Sequence, residues 1–137
     1  MFYYSNKLKA FTLTELLVVL VIVGILVLLA LPNLMPLISK AKGTEAKLQL
    51  EHLYTLEKTH FFEHSQYSKN LDEIGYEQQA LATEGGSATA NYKIEVTDAG
   101  TTTFTAKATA VVDFDGDGTY NVWEVDQNKN LREVTKD

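Results

Sequence analysis

The chain has no cysteine among its 137 residues. Disulfide staples, thiolate zinc sites and cysteine nucleophiles are therefore excluded. The compartment stays open, because a framework without disulfides folds anywhere. There are only 2 prolines, Pro32 and Pro36. Basic residues are scarce: 12 Lys and Arg stand against 18 Asp and Glu, a net charge of −6. The chain has no basic cluster, which argues against direct nucleic-acid binding. Neither G-x-S-x-G nor H-E-x-x-H occurs, so the catalytic signatures of common hydrolases are missing. The most informative absence is local. From Leu16 to Leu31 the chain reads LLVVLVIVGILVLLAL, with no charge and a single glycine.

Counted from Leu13, this run covers about 19 positions, or roughly 28 Å of helix, enough to cross a hydrocarbon core. Glu15 stands at its head. A carboxylate there is costly unless it lies at the interface or finds a partner. Lys7 and Lys9 precede the run and the acidic mass follows it. That asymmetry puts the N-terminus in the cytoplasm and the rest across the membrane. The segment is too long for a signal-peptide core, and Leu31-Pro32-Asn33-Leu34 is not a small-residue cleavage site.

The stretch Lys9-Ala10-Phe11-Thr12-Leu13-Thr14-Glu15-Leu16-Leu17 resembles the leader junction of type IV pilins and type II secretion pseudopilins. The resemblance implies a leader, residues 1–10, removed between Ala10 and Phe11 by a prepilin peptidase that also N-methylates Phe11. Ala10 stands where the family usually has glycine, and Thr14 where it often has isoleucine or leucine. Residues 11–38 are then a transmembrane and assembly helix, and residues 39–137 a globular domain. Subunits packed side by side bury Glu15, and a buried carboxylate needs a cationic partner. The family suggests the freed amine of a neighbour's Phe11, a pairing that fixes axial register.

Pro32 and Pro36 predict a kink or a melted turn near residues 28–36. In the family a proline at this distance marks where the helix unwinds inside a filament, so Phe11, Glu15 and Pro32 form the expected assembly set. Gly24 lowers helix propensity in the same region.

The family further implies a homo-oligomeric helical filament. Its subunit waits in the bacterial inner membrane as a single-pass protein in contact with lipid. An assembly platform and its ATPase machinery then extract it into a periplasmic or extracellular fibre for adhesion, motility or DNA uptake. The features after the apolar helix are closer to type IV pilins than to secretion-system subunits. A major pseudopilin of type II secretion is one alternative. A membrane-anchored calcium-binding module that never polymerises is another.

Beyond Ser39 the period of the apolar residues predicts a second, amphipathic half of the same helix to about His64. Ala46, Leu50, Leu53, Tyr54 and Phe61 share one side, and Leu48 and Phe62 point away. His60-Phe61-Phe62-Glu63-His64 matches H-x-x-E-H, an inverted zinc-protease pattern. A catalytic zinc needs a third protein ligand, and the sequence offers no obvious one. Residues 65–90 read as a connection pinned by Leu71, Ile74 and Tyr76. From Asn91 the period becomes two. Strands are expected at Tyr92–Val96, Phe104–Val112, Tyr120–Val125 and Leu131–Val134, with turns at Asp98-Ala99-Gly100 and Asn128-Lys129-Asn130. The fold class is α+β: a long N-terminal helix packed on a sheet of three or four antiparallel strands, a pilin-type fold.

One more motif stands out. Asp113, Asp115, Asp117, Gly118, Thr119, Asn121 and Glu124 fit D-x-[DN]-x-[DN]-G-x5-E at every fixed position. Calcium takes oxygens at that spacing, with Thr119 offering its carbonyl and Glu124 both oxygens. The flanks read as strands rather than helices, so two readings stay open. One is a calcium loop between strands. The other is a connection rich in Asp and Gly because those residues tolerate positive φ.

Overall fold

The computed structural model describes residues 10–137. The expected leader therefore lies outside the described residues except for Ala10. The chain separates into two units, one ending at Leu34 and one running Met35–Asp137.

Helix α1 spans Leu13–His64. Thr12 opens it as a reciprocal capping pair. Its Oγ1 accepts the Glu15 N–H at 3.2 Å, and its own N–H donates to Glu15 Oε2 at 2.7 Å. Two helix-end donors are thereby satisfied. The helix stays helical through Pro32 and Pro36, so the melted turn expected there is absent. At the far end Ser65 adopts φ 59° and donates its N–H to Phe61 O at 2.8 Å, a left-handed stop one residue beyond His64.

Within the second unit, the buried positions of α1 are Ser39, Gly43, Ala46, Leu50, Leu53, Glu57 and His60. Their spacing alternates four and three, which keeps one stripe on the sheet. The predicted stripe was therefore right in place but too apolar in character. Tyr54 and Phe61 pack at its margin, while Leu48 and Phe62 are exposed as expected.

Four strands form an antiparallel meander in the order β1-β2-β3-β4: β1 Tyr92–Ala99, β2 Phe104–Ala110, β3 Val122–Asp126 and β4 Leu131–Thr135. Three boundaries differ from the sequence reading by two residues or more, and the ends of β3 and β4 by one. β1 runs on through Ala99, with a register shift between Val96 and Asp98, and Gly100 N–H to Thr103 O at 2.9 Å closes the turn. β2 stops at Ala110, because Val111 N–H turns to Asn91 O at 2.9 Å. β3 begins at Val122, and Tyr120 remains exposed.

The inner face alternates large and small. Ala108 lies between Ile94 on β1 and Trp123 on β3, and Ala106 lies between Val96 and Val125. The alanines of β2 leave room for the helix, and the flanking strands fill the sides. Leu50, Leu53, Tyr92, Phe104 and Val125 form the centre of this core, all fully buried. Trp123 meets the helix where it is thinnest: a Cβ on Gly43 would sit 3.4 Å from the indole Nε1.

The connection from Ser65 to Ala90 is irregular, with a short 3-10 turn at Ala82–Glu84. Ile74 and Tyr76 are buried and Leu71 packs against the core, as the sequence suggested. The Gln78 side chain lies along β1, accepting Ile94 N–H at 2.8 Å and donating to Tyr92 O at 3.2 Å. That amide caps part of a sheet edge that would otherwise invite another strand.

Candidate functional site

The first unit leaves its apolar helix uncovered. Residues Leu16–Leu31 are all exposed, and their mean hydropathy reaches 3.0 over the most apolar window. Phe11 is 85% exposed just ahead of the helix. Glu15 is one turn away, held by its own chain: Oε2 takes both the Thr12 N–H and the Thr12 hydroxyl, the latter at 2.9 Å. The T-x-x-E spacing of Thr12 and Glu15 is the sequence signal of this pair. Pro32 is exposed within the helix. The structure thus puts Ala10, Phe11 and Glu15 on one short segment at the head of an unpartnered apolar surface.

A comparison with known protein families picks out this segment. A family model described as the prokaryotic N-terminal methylation motif matches residues 5–31. The Type IV major pilin protein PilA of Myxococcus xanthus (strain DK1622) is 40% identical over 73 residues. Both matches are to proteins of the type IV pilin kind, which this chain resembles. The match to PilA covers 53% of this chain and 33% of that relative, about a third of its length. A long helix on a four-stranded antiparallel sheet, as expected for a pilin, is what the second unit shows.

The aspartate loop divides its six candidate ligands. Asp113, Asp115 and Asp117 converge, each with a carboxylate oxygen within 4.8 Å of the others. These oxygens already bind the loop's own backbone. Asp113 accepts the N–H groups of Gly116 at 2.6 Å and Gly118 at 2.7 Å. Asp115 accepts Asp117 N–H at 3.0 Å, and Asp117 accepts Thr119 N–H at 2.6 Å. The Gly118 N–H above all holds Asp113 below the usual carboxylate range. Asp115 is also drawn down by the Asp117 N–H, yet desolvation and the charges of Asp117, Asp137 and Asp113 outweigh it and leave it raised. Gly116 and Gly118 take φ of 81° and 88°, which the turn requires.

Asn121 and Glu124 look elsewhere. Asn121 is 1% exposed, accepts the Tyr92 hydroxyl at 2.7 Å, and donates to Glu133 Oε1 at 2.7 Å and Thr135 O at 3.0 Å. Glu124 pairs with Arg132 and Lys107 on the outer face of the sheet. Strand alternation explains this. Trp123 faces the helix, so its neighbour Glu124 must face out. As folded, the six residues do not make the six-ligand cage of the motif; three carboxylates do converge.

The H-x-x-E-H stretch is built into the helix end. His60 is buried, with Nδ1 2.9 Å from Gln66 O. His64 Nδ1 lies 3.2 Å from His60 O, and the two rings stack with centroids 4.3 Å apart. Glu63 is exposed. Among the described residues the one trio of His, Asp or Glu side chains placed to share an ion is the aspartate trio.

Two further carboxylates were overlooked. Glu45 takes both the backbone N–H of Asn91 at 2.8 Å and its side-chain amide at 2.7 Å, tying the helix to the start of β1. Glu57 is fully buried and accepts Ser68 N–H at 3.2 Å. Its place on the stripe, four residues beyond Leu53, was the available signal.

Proposed function

We propose that this protein is a type IV pilin, the structural subunit of a type IV pilus-like filament. It is cut between Ala10 and Phe11, N-methylated on Phe11 and polymerised from the inner membrane, where it first sits as a single-pass protein with its N-terminus in the cytoplasm. The prepilin peptidase, the assembly platform and its ATPase are the partners this route calls for. The observation that carries the reading is the exposed Leu16–Leu31 surface with Glu15 at its head. Nothing in the second unit's core needs that surface, so its natural settings are lipid and other copies of itself.

Removal of the leader turns the Phe11 amide into an amine. In a bundle of such helices Glu15 then exchanges a helix cap for a charged partner on the next subunit. Matching one carboxylate to one amine at a fixed height sets the stagger, because an offset leaves a charge unpaired in a dry interior. Pro32 and Pro36 each lack the N–H that would brace the helix. They mark where the helix yields most easily when a fibre is pulled. Mass spectrometry of the mature N-terminus tests the processing step. The expected result is methylated Phe11; an intact Met1, or a first residue beyond Leu31, overturns the reading.

A further inference from the structure

A cavity of about 450 Å³ opens in the second unit between the start of its helix and strands β3 and β4. Lys40, Lys47 and Lys136 line it, with Trp123, Glu133 and Asp137. Three lysines sharing one recess is unexpected in a chain of net charge −6. None of them forms an ion pair: those of the described residues are Lys107 and Arg132 with Glu124, and every acid of the chain is among the described residues. Each of the two acids in the cavity wall has one oxygen held by a donor of the fold, and Asp137 Oδ1 is buried without a partner. Glu133 accepts from Asn121 and Asp137 from the Phe114 N–H at 3.1 Å. Lys47 Nζ rests 4.4 Å from the centre of the Trp123 ring. The recess therefore holds three lysines outside any ion pair, beside two carboxylates and an aromatic wall.

Chain order indicates where its anion comes from. No charged residue lies between Glu15 and Lys40. That interval is about 24 residues, or roughly 36 Å of helix, close to a hydrocarbon core plus part of its headgroup layers. Lys40 is thus the first charge on the far side of the span, at the level of lipid phosphates. Lysine and tryptophan are the side chains that favour that level, one reaching for phosphate and the other bridging apolar and wet layers.

We infer that the Lys40–Lys47–Lys136 recess, walled by Trp123, binds the phosphate of an anionic phospholipid headgroup while the subunit waits in the membrane. This rests on the membrane-resident stage of the proposed function. It adds a specific contact that holds the second unit to the leaflet until the subunit is extracted.

Trp123 is the only tryptophan of the chain, so its emission reads the recess directly. The full chain in neutral detergent is titrated with short-chain phosphatidylglycerol, short-chain phosphatidylcholine or inorganic phosphate. Phosphatidylglycerol is expected to shift the emission at about tenfold lower concentration than the other two. The K40Q/K47Q/K136Q variant should lose that advantage, and K69Q/K93Q/K129Q, with the same change in net charge, should keep it. Circular dichroism confirms that both variants are folded. Equal response to inorganic phosphate would assign the recess to free phosphate and overturn the lipid claim. An unchanged cavity variant, an equal loss in the control variant, or an emission shift that follows protein concentration rather than lipid would overturn it too, the last pointing to a second copy. Entry into vesicles of pure phosphatidylcholine is measured separately. Failure there refutes the membrane stage itself, whereas success there without a phosphatidylglycerol preference refutes only the headgroup site.

Discussion

Single side chains decide two behaviours of this protein, and both involve carboxylates. Glu57 is fully buried, and burial pushes its carboxyl above the ordinary value against the pull of the Ser68 N–H and of His60. Its Oε1 is buried without a hydrogen-bond partner. A folded pKa above the unfolded one means the fold prefers the protonated acid. Stability from this group is therefore complete below the unfolded pKa and is lost as pH rises through the folded one. Glu57→Gln keeps the shape and an acceptor for Ser68 while removing the charge. Thermal melts should show the variant more stable than the parent at pH 7, with the gap closing toward pH 4; an equal gap at both would refute a charge effect. The aspartate loop makes the second case. With Asn121 and Glu124 committed to the sheet, three carboxylates remain to meet a cation. Calorimetric titration with calcium should then give binding no tighter than about 0.1 mM, in the range of weak extracellular modules. A sub-micromolar site would require Asn121 to leave Tyr92, and Tyr92→Phe would tighten it. Neither Asn121's burial nor the outward turn of Glu124 follows from the motif spacing, which counts residues but not the faces of the strand they fall on.

At the scale of elements, the helix stripe and the alanines of β2 are two halves of one fit. Leu53 is fully buried against the sheet, so Leu53→Ala should cost about 2–5 kcal/mol in chemical denaturation. Ala108, also fully buried between Ile94 and Trp123, has the opposite limit. Ala108→Leu should cost about 1–3 kcal/mol by overpacking. Equal tolerance of both changes would mean that the helix is not seated on β2. These elements were readable beforehand because their patterns are long. The 3.6-residue period carried α1 to His64, and strict alternation gave β1 and β2. What stayed hidden depended on partners distant in the chain. The stripe ends in Glu57 and His60 because Ser68 and Gln66 are there to bind them, and no periodicity of the helix predicts that. Strand ends moved by one to three residues, at β2 because Asn91 O claims Val111 N–H. The helix through Pro32 held for a different reason. A proline removes one bond and crowds one carbonyl, and apolar helix on both sides is enough to bridge the gap.

The whole molecule joins a unit that completes its own core to a helix that has none. Every member of the hydrophobic core lies at Ala46 or beyond. The apolar residues ahead of Met35 are uncovered, so they add no burial to the fold and oppose solubility in water. Two consequences follow from this division. A chain beginning at Met35 should be soluble and melt cooperatively, within a few degrees of the second unit of the full chain in detergent. A much lower melt would show that the first unit supports the second. The assembly helix, in contrast, should be tunable without touching that melt. Thr12→Ala dismantles the cap, at about 1 kcal/mol of local helix stability, whereas Glu15→Gln keeps an acceptor for the Thr12 N–H. Only Glu15→Gln removes the charge proposed to meet a neighbour's amine. If Glu15 serves mainly as a cap, Thr12→Ala should lose filaments in electron micrographs and Glu15→Gln should keep them. If it sets the stagger between subunits, Thr12→Ala should still form filaments while Glu15→Gln stays in the membrane with its N-terminus processed. The second outcome is expected here. A cap worth one hydrogen bond is replaceable by water at an interface, and an unpaired amine in a dry bundle is not.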